Sequence, residues 1–190
     1  MTGPVSPNTG RRLITVGALV GLAPACALGT LLLVRFDAAE GGANLLARIS
    51  LFLYYASPYL LALVLSRSPA PQTRGLLVFA LSLLSLAAVL TSLSMATLLL
   101  LPSIFLLLLG AVETLRRHRQ GATSFIPQFI AGLAGAATIW VSFFALFWVD
   151  GTVEQGKTTA SYGQSIAALG CLALGATLFL VAPRLRHTHP

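Results

Sequence analysis

The most informative stretch of the sequence is residues 75–115, GLLVFALSLLSLAAVLTSLSMATLLLLPSIFLLLLGAVETL. As a single helix its 41 residues would be roughly 60 Å long, about twice the thickness of the hydrocarbon core of a bilayer. One helix of that length does not fit in the bilayer, whereas two helices joined by a tight turn do. The polar cluster Thr91–Ser94 lies near the middle of the stretch. The stretch therefore predicts two membrane-spanning helices, at about 75–90 and 95–115.

The composition of the whole chain agrees with a membrane protein. Of its 190 residues, 56% are hydrophobic and only 9% are charged, against about 25% charged residues in a typical soluble domain. In hydrocarbon every backbone polar group must be satisfied internally, which leaves helices and closed barrels as the spanning structures. Barrel strands would alternate apolar and polar residues, whereas the apolar runs here are continuous. The predicted fold class is all-α, an integral membrane bundle without a soluble domain.

Turn signals and apolar runs divide the chain into six predicted transmembrane helices. They are expected at about 13–34, 44–65, 75–90, 95–115, 127–149 and 165–182. Residues 1–12 are predicted to form a disordered cytoplasmic tail, residues 13–183 a single transmembrane domain, and residues 184–190 a second cytoplasmic tail. Pro69 and Pro71 mark the clearest break, between the second and third helices.

The basic residues predict how the helices thread the membrane, because cytoplasmic loops carry an excess of Lys and Arg. Six helices with a cytoplasmic N-terminus place nine basic residues inside and three outside. A five-span alternative, with 75–115 as one helix, would give five inside and seven outside. The rule favours six helices with both termini in the cytoplasm. The nine inside residues are Arg11, Arg12, Arg67, Arg74, Arg116, Arg117, Arg119, Arg184 and Arg186.

The first apolar run also has features of a secretory signal. Arg11 and Arg12 precede it, and Ala23–Ala25 followed by Cys26 resembles a cleavage site. The run nevertheless continues to Val34, so it is long enough to span the bilayer. We interpret it as a retained first transmembrane helix and keep cleavage as the alternative.

The ionisable residues argue against several classes of function. None lies in the middle third of a predicted span, where pumps and ion-coupled carriers place them. All three histidines lie in predicted cytoplasmic segments, and Cys26 and Cys171 each stand alone. The sequence therefore predicts no catalytic residue, no metal site and no cofactor. The basic residues are scattered in short loops, so no nucleic-acid partner is expected either.

The first helix carries a stripe of small residues at four-residue spacing: Gly17, Gly21, Ala25 and Gly29. Small side chains let another helix backbone approach closely in a membrane. The stripe is expected to pack a neighbouring helix of the same bundle. The alternatives are a homodimer and a separate membrane-protein partner.

The second helix carries the polar cluster Tyr54, Tyr55, Ser57, Pro58 and Tyr59 at membrane depth. Pro58 cannot donate a backbone hydrogen bond to the carbonyl of Tyr54, which leaves an acceptor in need of a partner. We treat Tyr54, Tyr55, Ser57 and Tyr59 as a candidate polar pocket. The alternative is that their hydroxyl groups bond to neighbouring helices, for example to Thr138 and Ser142.

Two functions remain open at this point. The first is a non-enzymatic structural or accessory subunit, which predicts a tightly packed bundle. The second is a small permease or carrier for a neutral or apolar solute, which predicts a cavity reaching Tyr55. Heavy use of Arg, Ala, Leu and Gly suggests a bacterial chain, and a multi-pass protein of the plasma (bacterial inner) membrane is expected.

Overall fold

The computed structural model describes residues 9–35, 41–92, 95–117, 126–147 and 162–187. Within these ranges every regular element is helical. The six α-helices are α1 (Thr9–Arg35), α2 (Gly41–Ser66), α3 (Pro71–Ser92), α4 (Leu101–Arg117), α5 (Ile126–Phe147) and α6 (Tyr162–Val181), with 3₁₀ segments at Met95–Leu100 and Ala182–His187.

All six helices are long and apolar enough to cross a membrane. The stretch 75–115 is divided between two of them, because Pro71–Leu90 and Thr97–Arg117 form separate candidate spans. The prediction of six apolar helices is therefore confirmed, and the five-span alternative is wrong.

The helices pack in a closed ring in the order α1, α2, α6, α5, α3, α4. In addition, α2 contacts α3 and α5 across the ring. About 61% of the α2 span and 56% of the α3 span are buried within the bundle, against 33–39% for the other four. The second and third helices therefore form the centre, and the other four present most of the outward surface.

Several helices begin before the positions expected from the apolar runs. Helix α1 begins at Thr9, so residues 9–12 are helical although they were expected to belong to a tail. Helix α3 begins at Pro71 rather than near 75, since proline fits the first turn of a helix. Polar and basic residues can remain helical at the interface because water satisfies their side chains. Hydropathy therefore locates the spans more accurately than it locates helix ends.

The fourth span does not start as an α-helix. Residues Met95–Leu100 form a 3₁₀ segment, and the α-helix follows from Leu101. 3₁₀ turns are frequent at the start of α-helices, and Pro102, the second residue of α4, fits a first helical turn, where a missing N–H costs little.

Parts of the predicted tails and loops lie outside the described residues. These parts are residues 1–8, 36–40, 93–94, 118–125, 148–161 and 188–190. The second predicted tail is partly described, and residues 184–187 belong to the 3₁₀ segment that follows α6.

Candidate functional site

The three tyrosines of the candidate polar pocket are buried in the bundle. Tyr54 is 4% exposed, Tyr55 is 6% exposed and Tyr59 is 1% exposed. The rings of Tyr54 and Tyr55 meet edge to face with centroids 5.2 Å apart, and the Tyr54 ring lies 5.0 Å from that of Phe143 on α5. The tyrosines therefore pack against one another and against neighbouring helices.

Tyr59 connects three helices. Its hydroxyl group is hydrogen bonded to the Ser103 hydroxyl of α4 at 3.2 Å. On α1, a Cβ atom added to Gly21 would overlap the Tyr59 ring and would lie 2.8 Å from Ser103 Oγ. Because Gly21 has no side chain, the Tyr59 ring fills the space beside it. The structure brings together the small-residue stripe and the polar cluster, which the sequence treated as separate features.

The backbone acceptor released by Pro58 has a local partner. Ser57 Oγ donates a hydrogen bond to the Tyr54 carbonyl at 3.3 Å. The side chain of Ser57 does not line the cavity beside the tyrosines. Its role in the structure is to satisfy the backbone of its own helix.

A cavity does lie beside the tyrosines, but it is small. Its volume is about 10 Å³, which is about the space that one water molecule requires. Its lining residues are Tyr54, Tyr55, Pro58, Tyr59, Leu84, Ser85, Ala88 and Leu100. The space is sufficient for a single water molecule and too small for an organic solute.

Thr138 and Ser142, considered as partners for the tyrosines, donate to their own helix. Thr138 Oγ1 donates to the Ala134 carbonyl at 2.7 Å, and Ser142 Oγ donates to the Ile139 carbonyl at 2.5 Å. Ser103 on α4, a residue that the sequence did not single out, is an interhelical partner of Tyr59 in the structure.

The small-residue stripe of α1 packs inside the bundle along its whole length. A Cβ atom at Gly17 would lie 2.9 Å from Leu106 Cβ on α4, and one at Gly29 would lie 2.9 Å from Phe52 Cδ2 on α2. Ala25 is fully buried. The stripe therefore faces α4 at one end and α2 at the other, and it is covered by the same chain.

A second close approach joins α5 to α6. A Cβ atom at Gly175 would lie 2.7 Å from the Gly135 carbonyl oxygen, and one at Gly135 would lie 3.0 Å from the Gly175 carbonyl oxygen. The two backbones therefore touch at this crossing. By contrast, a Cβ atom at Gly170 would meet no atom within 4 Å, so this glycine lies on the outward surface of α6.

The sequence analysis did not predict a buried polar pair near the first turns of α3 and α5. Thr73 and Gln128 are both fully buried, and Thr73 Oγ1 donates to Gln128 Oε1 at 3.0 Å. Gln128 Nε2 is buried without a hydrogen-bond partner. The signal in the sequence was Gln128 itself, the polar residue that follows Pro127 at the start of an apolar run.

One end of the bundle is strongly basic. Contacts between Gly10 and Thr114, between Gly75 and Leu115, and the Thr73 hydrogen bond place the first turns of α1, α3 and α5 beside the last turn of α4. This basic end carries Arg11, Arg12, Arg67, Arg74, Arg116, Arg117 and Arg184.

An ion pair joins Glu113 and Arg117 at the basic end. Within the described residues no group of three or more His, Cys, Asp or Glu side chains is placed to hold a metal ion. Cys26 and Cys171 are free thiols.

No protein-family model, no curated protein and no solved structure shows significant similarity to this chain.

Proposed function

We propose that this protein is a structural or accessory subunit of the plasma (bacterial inner) membrane, with both termini in the cytoplasm and no catalytic activity of its own. In this role the bundle presents a rigid outward surface to a partner in the lipid. The six apolar helices provide the membrane anchorage that the role requires.

The observation that carries this proposal is the packing around Tyr59. A carrier for a neutral solute needs a cavity that reaches the tyrosines and is large enough to hold the solute. The tyrosines are instead at most 6% exposed, and the cavity beside them holds about 10 Å³. Glycine, tyrosine and serine from three helices meet there, which favours a rigid core over a transport path.

The charge distribution supports the proposed threading. The seven arginines named above lie at the basic end of the bundle. Arg35, at the end of α1, and Arg48, near the start of α2, lie toward the opposite end. Such an asymmetry is typical of proteins whose basic end faces the cytoplasm.

A partner would bind a surface other than the α1 stripe, because that stripe is covered by α2 and α4. Helix α6 offers exposed small residues at Gly163, Ala167 and Gly170, and Gly170 has open space beside it. Small residues at these spacings lie on one face of a helix and allow close approach of another helix. This α6 face is the docking surface that the proposal names, for a membrane-protein partner or a second copy of the chain.

The test is copurification of the tagged full chain from mild detergent, followed by native mass spectrometry. We expect a stoichiometric complex that is lost when Ala167→Phe and Gly170→Phe are combined. The matched control combines Ala134→Phe and Ala137→Phe, at exposed positions of α5, and should retain the complex.

Two outcomes contradict the proposal. One is a lone monomer for the unaltered chain. The other is passage of a neutral solute into liposomes that contain the purified protein, which would favour the permease.

A further inference from the structure

The outward surface of α1 has two chemically different parts. Arg11 and Arg12 are exposed at its beginning. An apolar strip follows along the same side of the helix, formed by the exposed residues Val16, Leu19, Val20, Ala23, Ala27 and Leu31. Positive charge at the interface and an apolar strip below it match the two parts of a phospholipid.

A shallow groove, open on its outer side and formed by one face of α1, joins these two parts. It has a volume of about 370 Å³ and is lined by Arg11, Arg12, Thr15 and Val16. Thr15 Oγ1 donates to the Arg11 carbonyl at 3.0 Å, so its hydroxyl hydrogen is already engaged within the helix. The free donors of the groove are therefore the two guanidinium groups, which suit an anion.

A third arginine adds to the positive charge near the groove. Arg11 and Arg74 are close enough for their charges to repel each other. Arg74 Nη1 donates to the Ser68 carbonyl at 3.1 Å, and its Nε is buried without a partner. Among the described residues the one acidic side chain is Glu113, which pairs with Arg117. A bound anion would relieve the repulsion, since the described carboxylate is engaged elsewhere.

We propose that Arg11 and Arg12 bind the phosphodiester of an anionic phospholipid, whose acyl chain lies along the apolar strip of α1. A lipid fits better than a free phosphate ion because the groove continues directly into a surface that faces the hydrocarbon. The positive charge of the two guanidinium groups attracts phosphate oxygens and strengthens the hydrogen bonds that they donate. This lipid site requires only that the six helices span a membrane. It does not depend on the accessory role proposed above.

The experiment titrates the full chain, purified in a neutral detergent, with palmitoyl-oleoyl phosphatidylglycerol or the matching phosphatidylcholine, and reads binding by native mass spectrometry. A hydrogen bond to a charged group contributes enough to change affinity severalfold. We therefore expect phosphatidylglycerol to bind roughly tenfold more tightly than phosphatidylcholine, and this preference to be lost in Arg11→Gln/Arg12→Gln.

Two further variants make the result specific. Arg67→Gln/Arg184→Gln removes the same charge from exposed positions at the same end of the bundle, and should change phosphatidylglycerol affinity by less than about twofold. Arg11→Lys/Arg12→Lys keeps the charge and should keep the preference. All variants are compared at equal monodispersity and thermal midpoint.

Four results would overturn the proposal. The first is equal losses for the two glutamine pairs, which indicate bulk charge alone, and the second is equal binding of the two lipids. The third is binding of phosphatidylglycerol by Arg11→Lys/Arg12→Lys that is as weak as binding by Arg11→Gln/Arg12→Gln. Complete displacement of phosphatidylglycerol by millimolar inorganic phosphate is the fourth, since it would identify a site for a free anion.

Discussion

Gly21 is the residue at which the two main patterns of the sequence meet. Its missing side chain accommodates the Tyr59 ring, and the Tyr59 hydroxyl bonds to Ser103. The sequence predicted that both Gly21 and Tyr59 matter, from the spacing of small residues and the depth of the tyrosines. It could not predict that they touch, because one sequence does not state which helix faces which. Ser103 was missed for the same reason.

At Gly21 we predict that Gly21→Ala destabilises the bundle by about 1–3 kcal/mol, the usual cost of overpacking a close contact. The cause is overlap of the new methyl group with the Tyr59 ring. Unfolding in detergent, followed by circular dichroism, measures the effect.

The matched control is Gly170→Ala on α6, where the new methyl group meets open space. It should change stability by less than about 0.5 kcal/mol. Equal effects of the two substitutions would refute the contact between α1 and Tyr59.

At the scale of single helices, hydropathy and prolines predicted more than small-residue spacing did. The polar cluster Thr91–Ser94 correctly divided residues 75–115, because a helix twice as long as the hydrocarbon is thick cannot stay within it. Helix starts were placed three or four residues late in α1, α2, α3 and α6, since a helix can begin before its apolar run does. The 3₁₀ segment Met95–Leu100 was not predicted.

Helix α2 offers a test of how a membrane helix tolerates a proline. Ser57→Ala removes the donor to the Tyr54 carbonyl and should cost about 1 kcal/mol, the typical net value of one hydrogen bond. In a Pro58→Ala background the same substitution should cost less than about 0.5 kcal/mol, because residue 58 regains an N–H for that carbonyl.

The measurement is a double-mutant cycle of unfolding free energies in detergent, with Pro58→Ala alone completing the cycle. If Ser57→Ala costs the same in both backgrounds, Ser57 does not replace the donor that Pro58 lacks.

At the scale of the whole molecule, the sequence predicted six helices and a concentration of arginines at one end. The contacts of Gly10, Gly75 and Thr73 bring those arginines together at the basic end. The ring order of the helices and the central position of α2 and α3 could not be predicted from the sequence. An apolar helix face can contact either lipid or another helix, so its residues do not indicate which it contacts. The cavity volume was equally unpredictable, since it depends on how Tyr59 fits against Gly21.

The threading of the six helices is the central claim, and single-cysteine labelling tests it most directly. Cys26→Ala and Cys171→Ala provide a background without thiols, into which Ser68→Cys, Ser94→Cys or Ser124→Cys is introduced. Intact cells are then treated with a membrane-impermeant maleimide, with and without permeabilisation.

Position 94 should react from outside the cell, whereas positions 68 and 124 should react only after permeabilisation, because an odd number of spans separates position 94 from each of the other two. Labelling of position 94 from the same side as positions 68 and 124 would contradict the account.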